Sequence, residues 1–245
     1  MGLPVSVLAR GDLAESPRAD AAVRSVFAEL VEADRVFSPY KPGSAVSLLA
    51  RGEVGWEDVD PVVRAVAERC DRARDLTGGR FDPQVPGGGW DPSGLVKGWA
   101  VERAGERLRE VSELDWCLNA GGDVLVLCPS KRPFTVGIQD PRDPGRVVAT
   151  VARTDGAVAT SGTAARGAHL YDPRTGAPVL SRWLSVSVSG PSLEYADVLA
   201  TAAFVAGEEW PTVLEVLPGY EGLGILANGN LLATPGWPAV GSAAG

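Results

Sequence analysis

The chain has 245 residues, 45% of them apolar, and a formal net charge of -8. That length and apolar share suffice for a full core, while the acidic balance excludes the dense basic stripe with which nucleic-acid and anionic-lipid surfaces displace counterions. A small molecule or another protein is the expected partner, with no nucleic acid.

Three cysteines, Cys70, Cys117 and Cys128, are odd in number, widely spaced and set in apolar contexts. They match neither a disulfide framework nor a CxxC metal site and read as core residues. The N-terminus MGLPVSVLARGDLAESP has no basic n-region, long apolar h-region or lipidated cysteine, and no stretch reaches the ~20 apolar residues of a membrane span. The expected setting is the cytoplasm, with one domain over residues 1–240 and a flexible tail at 241–245.

In chain order, the first amphipathic helix has Ser16 as its cap, Pro17 in its first turn and Val23, Val26, Phe27, Leu30 and Val31 as its apolar stripe, ending near FSPYKPGS. A second follows the same grammar: Asp60 caps, Pro61 comes first, Val62, Val63, Val66, Ala67 and Cys70 form the stripe, and TGG at 77–79 stops it. A third begins at Ser93, with Val96, Trp99, Ala100 and Leu108 on one face. Short β-branched runs then predict strands: CLNAGGDVLVL, FTVGIQD, RVVATVAR, GAVATSG and LSVSVSG. A fourth helix, LEYADVLATAAFVAG, ends at Gly207, and GLGILANGNLLATP predicts a hairpin with Asn228-Gly229 at its tip. Helices early, strands in the middle and a late helix do not alternate as βαβ units, so the fold class expected is α+β with a largely antiparallel sheet flanked by helices.

Several stretches carry chemistry. Asp197 and Thr201 lie four apart on an otherwise apolar helix, so both oxygens leave nearly one face. They form an incomplete oxygen shell of the kind magnesium completes with water and phosphate. The same spacing also suits a locally paired Asp197 and a Thr201 bonded back to the preceding turn. In PGGGWDPSGLVKGWA, residues 86–100, a glycine-rich loop precedes a helix start, with Asp91 in the loop and Lys97 one turn inside. Amides at a helix N-terminus attract phosphate, but the spacing is not that of a Walker A loop, and read alone the loop is better accounted for by ordinary turn chemistry. NAGGD at 119–123 either lets a ligand lie against the backbone or forms a bulge. ATSGTA offers Thr160, Ser161 and Thr163 to a phosphate, or simply turns the chain. His169, the only histidine, precedes a tight polar loop, LYDPRTG; packing and catalysis are both open to it. A serine-hydrolase triad would have to use it, and no GxSxG elbow is present.

Taken in order, FSPYKPGSAVSLL, GGRFDP, DPSGLVKGWAVERA, NAGGDVLV, VGIQDP, VATSG, HLYDPRTGAP, SVSVSGPS and ADVLATAAFV resemble the ApbE-like family of FAD:protein FMN transferases over essentially the whole chain. HLYDPRTG followed by ADVLAT is the most diagnostic pair. The resemblance implies an ApbE-like (T-fold-like) architecture and a magnesium-dependent enzyme that moves FMN from FAD to a serine or threonine of an acceptor flavoprotein, releasing AMP. It implies metal ligation by Gly94, Asp197 and Thr201, with His169 assisting the acceptor hydroxyl. It implies flavin-nucleotide contacts at Met1, Tyr40, Arg80, Phe81, Asp82, Asp91, Lys97, Thr160, Ser161 and Ala200. Water in place of the acceptor would make the enzyme an FAD pyrophosphatase, and loss of turnover would leave a flavin-binding protein. The chain departs from the family pattern in PGGGW, which shortens a longer segment and would give one wall of the pocket to Trp90 or Trp99. It departs again in MGL at the start, and the lipoprotein leader usual in the family is not expected here.

Overall fold

The computed structural model describes residues 2–85, 89–163, 171–179 and 181–237. A strand β1 (Val5–Arg10) opens the chain and is followed by α1 (Pro17–Phe37), α2 (Ala45–Ala50), α3 (Pro61–Leu76) and α4 (Ser93–Arg109). Strands β2 (Asp115–Ala120), β3 (Asp123–Leu127), β4 (Phe134–Asp140), β5 (Asp143–Arg153), β6 (Asp155–Gly162) and β7 (Trp183–Gly190) come next. Helices α5 (Leu193–Ala206) and α6 (Trp210–Leu214) and the hairpin β8 (Glu221–Leu226) and β9 (Leu231–Ala233) close it.

The expected α+β class is what the chain adopts. Among the described residues seven strands form one sheet in the order β1-β2-β3-β6-β7-β8-β9, with β4 and β5 as a separate pair, and every pairing of these strands is antiparallel. Both faces of the main sheet are covered along β2, β3, β7 and β8, whose residues are nearly all buried whichever face they take. Along β2, β3 and β6 the two-residue period sends Trp116, Leu118, Leu125, Ala157 and Ala159 into the core under the helices. Cys117, Val124, Val126 and Val158 go to a second core beneath the β4–β5 hairpin. All three cysteines are buried and free, as their apolar contexts predict, and among the described residues no helix is long and apolar enough to cross a membrane.

The helix signals are realised locally. Ser16 Oγ accepts from the Ala19 amide, Asp60 Oδ1 accepts from the Val62 amide 2.8 Å away, and α3 stops where Gly78 and Gly79 take φ of 58° and 76°. The stripe of α1 differs from expectation: Phe27 and Val31 are exposed, and the buried positions are Ala19, Ala22, Val26, Leu30, Ala33 and Phe37. Alanines win because α1 packs closely along α4, where small side chains let the axes approach. The sequence signals for β1 and α2 were too short to stand out, α2 being one capped turn and a half with Ser44 Oγ accepting from the Ser47 amide. CLNAGGDVLVL is two strands joined at Gly121-Gly122, whose φ of 62° and 96° make a tight turn rather than a bulge.

Glycine decides how α4 meets α5. A β-carbon on Gly98 would stand 2.6 Å from the Leu193 carbonyl oxygen, so this residue is what lets the two backbones touch. Glu102 of α4 then reaches the start of α5, its Oε2 accepting from Ser192 Oγ at 2.8 Å and from the Glu194 amide at 3.0 Å. A carboxylate at a helix N-terminus is favourable on charge as well as on hydrogen bonding.

Candidate functional site

The close α4–α5 contact aims a polar row of α5 toward the ends of β3 and β6. Asp197, 3% exposed, accepts from the Gly98 amide through Oδ2 at 3.2 Å. Lys97 Nζ stands 3.3 Å from Asp197 Oδ1 and 2.7 Å from Oδ2 of Asp123, which is 1% exposed at the head of β3. Asp123 Oδ1 accepts from the Thr160 amide of β6 at 3.2 Å. One turn beyond Asp197, Thr201 Oγ1 lies 3.0 Å from Ser161 Oγ, while Thr160 Oγ1 lies 2.8 Å from Ser187 Oγ. Residues from α4, α5, β3 and β6 therefore meet in one buried, charged corner.

That corner opens through Lys97, Gly94 and Thr201 into a cavity of about 550 Å³, within the ~300–1,000 Å³ of small-molecule and cofactor sites. Its walls bring together Tyr40, the run Arg80, Phe81 and Asp82, and Asp91 and Lys97, from three separate parts of the sequence. Tyr40 follows α1 and projects with 92% exposure. Phe81 is buried and leaves room for Gly94, where a β-carbon would stand 3.1 Å from its ring. Asp91 Oδ1 accepts from the Ser93 amide at 2.9 Å and from Ser93 Oγ, which supplies the start of α4 with a side-chain acceptor. Asp82 Oδ1 accepts from the Gln84 amide at 2.8 Å, and Arg80 reaches Glu209 at 3.4 Å.

Not every expected residue lies on the cavity wall. Ala200 is fully buried in the main core and does not line the cavity. Trp90 packs edge-on against Trp56 and Trp99 edge-on against Phe37, so neither builds the wall; Val85 does. His169 and Met1 lie outside the described residues, as do 86–88 of the shortened glycine loop and the tail at 241–245. The polar loop after His169 is well formed: the Asp172 amide bonds the Ala177 carbonyl at 2.8 Å, Asp172 pairs with Arg174, and Gly176 turns with φ of 69°.

Among the wall residues not singled out in the sequence, two carry polar chemistry of interest. Tyr171 and Asp34 line the cavity, and Lys41 pairs with Asp34 at 2.6 Å. Burial, and then the charges of Asp91 and Asp82, push the Tyr171 phenol above its usual range, so it presents a hydroxyl donor near neutral pH. Asp123 was visible only as the last letter of NAGGD. The signal that would have found it is a carboxylate heading the apolar run VLVL, which must be compensated if the strand is buried.

The donor set suits magnesium, an ion that takes a few protein oxygens and keeps water or phosphate for the rest. Asp197 and Thr201 supply a carboxylate and a hydroxyl. In a helix the Gly98 amide points at the Gly94 carbonyl, so Asp197 Oδ2, bonded to that same amide, sits beside the third expected donor. An ammonium already lies against the carboxylates, evidence that the corner stabilises positive charge.

Comparison with known proteins agrees with the geometry. The profile of the ApbE family matches residues 1–88 and 86–223, and the chain belongs to the ApbE family. It is 35% identical over 188 residues to an FAD:protein FMN transferase of Rhodobacter capsulatus, a match covering 72% of this chain and 36% of that protein. The chain thus spans little more than a third of that relative's length. The fold is similar to that of the ApbE protein of Thermotoga maritima, with a TM-score of 0.84 at 24% identity over 96% of this chain and 94% of the other. It is also similar to the flavin transferase ApbE of Vibrio cholerae, with a TM-score of 0.71 at 21% identity over 95% and 98%.

Proposed function

We propose that the chain is a magnesium-dependent FAD:protein FMN transferase that joins FMN through a phosphoester bond to a serine or threonine of an acceptor flavoprotein. The observation that carries this reading is the junction of an all-oxygen corner, Asp197 and Thr201 beside Gly94, with an aromatic-walled cavity in a member of the ApbE family. Phosphoryl transfer asks the protein mainly for charge neutralisation and positioning. Magnesium held by Asp197, Thr201 and the Gly94 carbonyl would neutralise the pyrophosphate of FAD.

Tyr40 and Phe81 are suited to the flat rings of the dinucleotide, and the Thr160 and Ser161 hydroxyls to its phosphates. Arg80 and Asp82 lie on the same wall for the nucleotide, joined in this reading by Met1, while Ala200 supports the site from the core. In the reaction the acceptor oxygen attacks the FMN phosphorus, its proton passes to neutral His169, and the phosphoanhydride bond to AMP breaks.

The test is to incubate the protein with FAD, Mg2+ and an acceptor domain carrying an Asp-x-x-Ser/Thr-Gly-Ala-Ser/Thr-type segment, then denature and look for flavin fluorescence on the acceptor. Labelled acceptor with release of AMP is expected. Free FMN and AMP beside an unlabelled acceptor would mean a pyrophosphatase, and tight FAD binding without turnover a flavin-binding protein.

A further inference from the structure

Resting on the magnesium reading above, we infer that Asp123 is a positioning residue for the metal corner: it anchors the Lys97 ammonium and so keeps it from closing fully on Asp197. The distances favour this division, 2.7 Å from Lys97 Nζ to Asp123 against 3.3 Å to Asp197. A lysine ammonium is a compact charge on a flexible stem and settles against whichever carboxylate holds it best. Asp123 is the fixed partner, because it heads β3 and its other oxygen accepts from the Thr160 amide. Lys97 has little other room, its side chain being 14% exposed in the cavity wall.

A metal at Asp197 and the ammonium of Lys97 compete for one carboxylate. Asp123 decides that competition by offering the ammonium a closer carboxylate, and it adds a second negative charge to a buried place where electrostatics act strongly. Groups behind a metal ligand that orient it or set its charge commonly change metal affinity by ~10–100-fold. Asp123 therefore governs metal affinity through Lys97, without itself ligating.

Mn2+ binding, followed by loss of the free-ion paramagnetic resonance signal, tests this on the full chain without turnover, manganese being an ion that shares magnesium's preference for octahedral oxygen sites. Asp123→Asn keeps the side-chain shape and the acceptor for Thr160, and should weaken Mn2+ binding by ~10–100-fold. Lys97→Met should tighten binding relative to the unmodified protein, and adding it to Asp123→Asn should recover much of the loss. A merely structural Asp123 would give no such rescue. Unchanged binding in Asp123→Asn, no tightening in Lys97→Met, or a double variant no better than Asp123→Asn would each overturn the assignment. If the unmodified protein binds no Mn2+, the metal reading fails as well, an outcome distinct from any change confined to the variants.

Discussion

Tyr40 stands almost wholly in solvent at the cavity wall, a costly place for an aromatic ring unless a ligand covers it. Stacking on such a ring contributes on the order of 1 kcal/mol beyond burial, or about fivefold in affinity. Tyr40→Ala is expected to weaken FAD binding by about that factor, measured by flavin fluorescence quenching, and to leave thermal unfolding unchanged. Equal affinity in the variant would remove Tyr40 from the site. His169→Ala should slow FMN transfer by ~100–10,000-fold, the range for loss of a general base, while FAD affinity stays as it was. A variant that labels acceptor at the full rate would take the base role away from His169. Residue types with unusual chemistry were legible in the sequence, Asp197 and Thr201 above all. Asp123 was not, because what marks it is burial beside Lys97, and that contact joins residues from α4 and β3.

At the scale of elements, the α4–α5 contact holds the corner together. Alanine is better than glycine inside a helix by about 1 kcal/mol, so propensity alone predicts that Gly98→Ala stabilises the protein. A β-carbon 2.6 Å from the Leu193 carbonyl oxygen argues the opposite, since a backbone atom cannot rotate away and overpacking costs about 1–3 kcal/mol. The clash wins: Gly98→Ala should lower the urea midpoint and weaken FAD-dependent turnover together, by moving Asp197 away from the Gly98 amide and the neighbouring Gly94 carbonyl. A higher midpoint would show that the helices have slack. Caps and stops made the long helices easy to place, whereas β1 and α2 went unread because six residues carry too little periodicity to declare an element.

For the whole molecule, the turn of the β4–β5 hairpin links fold stability to pH. A side-chain hydrogen bond from Arg142, joined by that residue's amide, holds the Asp140 carboxyl down to about 2. A depressed folded-state value means that the bond contributes stability fully above the unfolded carboxylate value of about 4 and loses it as pH falls through about 2. Stability is therefore expected to decline between about pH 4 and pH 2. Asp140→Asn should flatten part of that decline in urea midpoints measured across the window. An unchanged acid limb would show that the pair contributes nothing to folding. Arg142 and Asp140 are close in sequence, so the pair could be suspected there; its place at the end of a hairpin could not.

The sequence by itself determined where the long helices lie, the strand character of the middle of the chain and the family signature, because caps, turns and residue periods are local properties of the backbone. Its order of motifs also named the residues that converge, from Tyr40 to Thr201. Tertiary structure alone decided which face of α1 is buried, that Trp90 and Trp99 pack away from the cavity, and that Ala200 sits in the core. It alone placed Lys97 between Asp123 and Asp197. The physical reason is common to all four: burial and charge pairing depend on what arrives from distant parts of the chain, and a glycine such as Gly98 reveals its purpose only when another backbone lies against it.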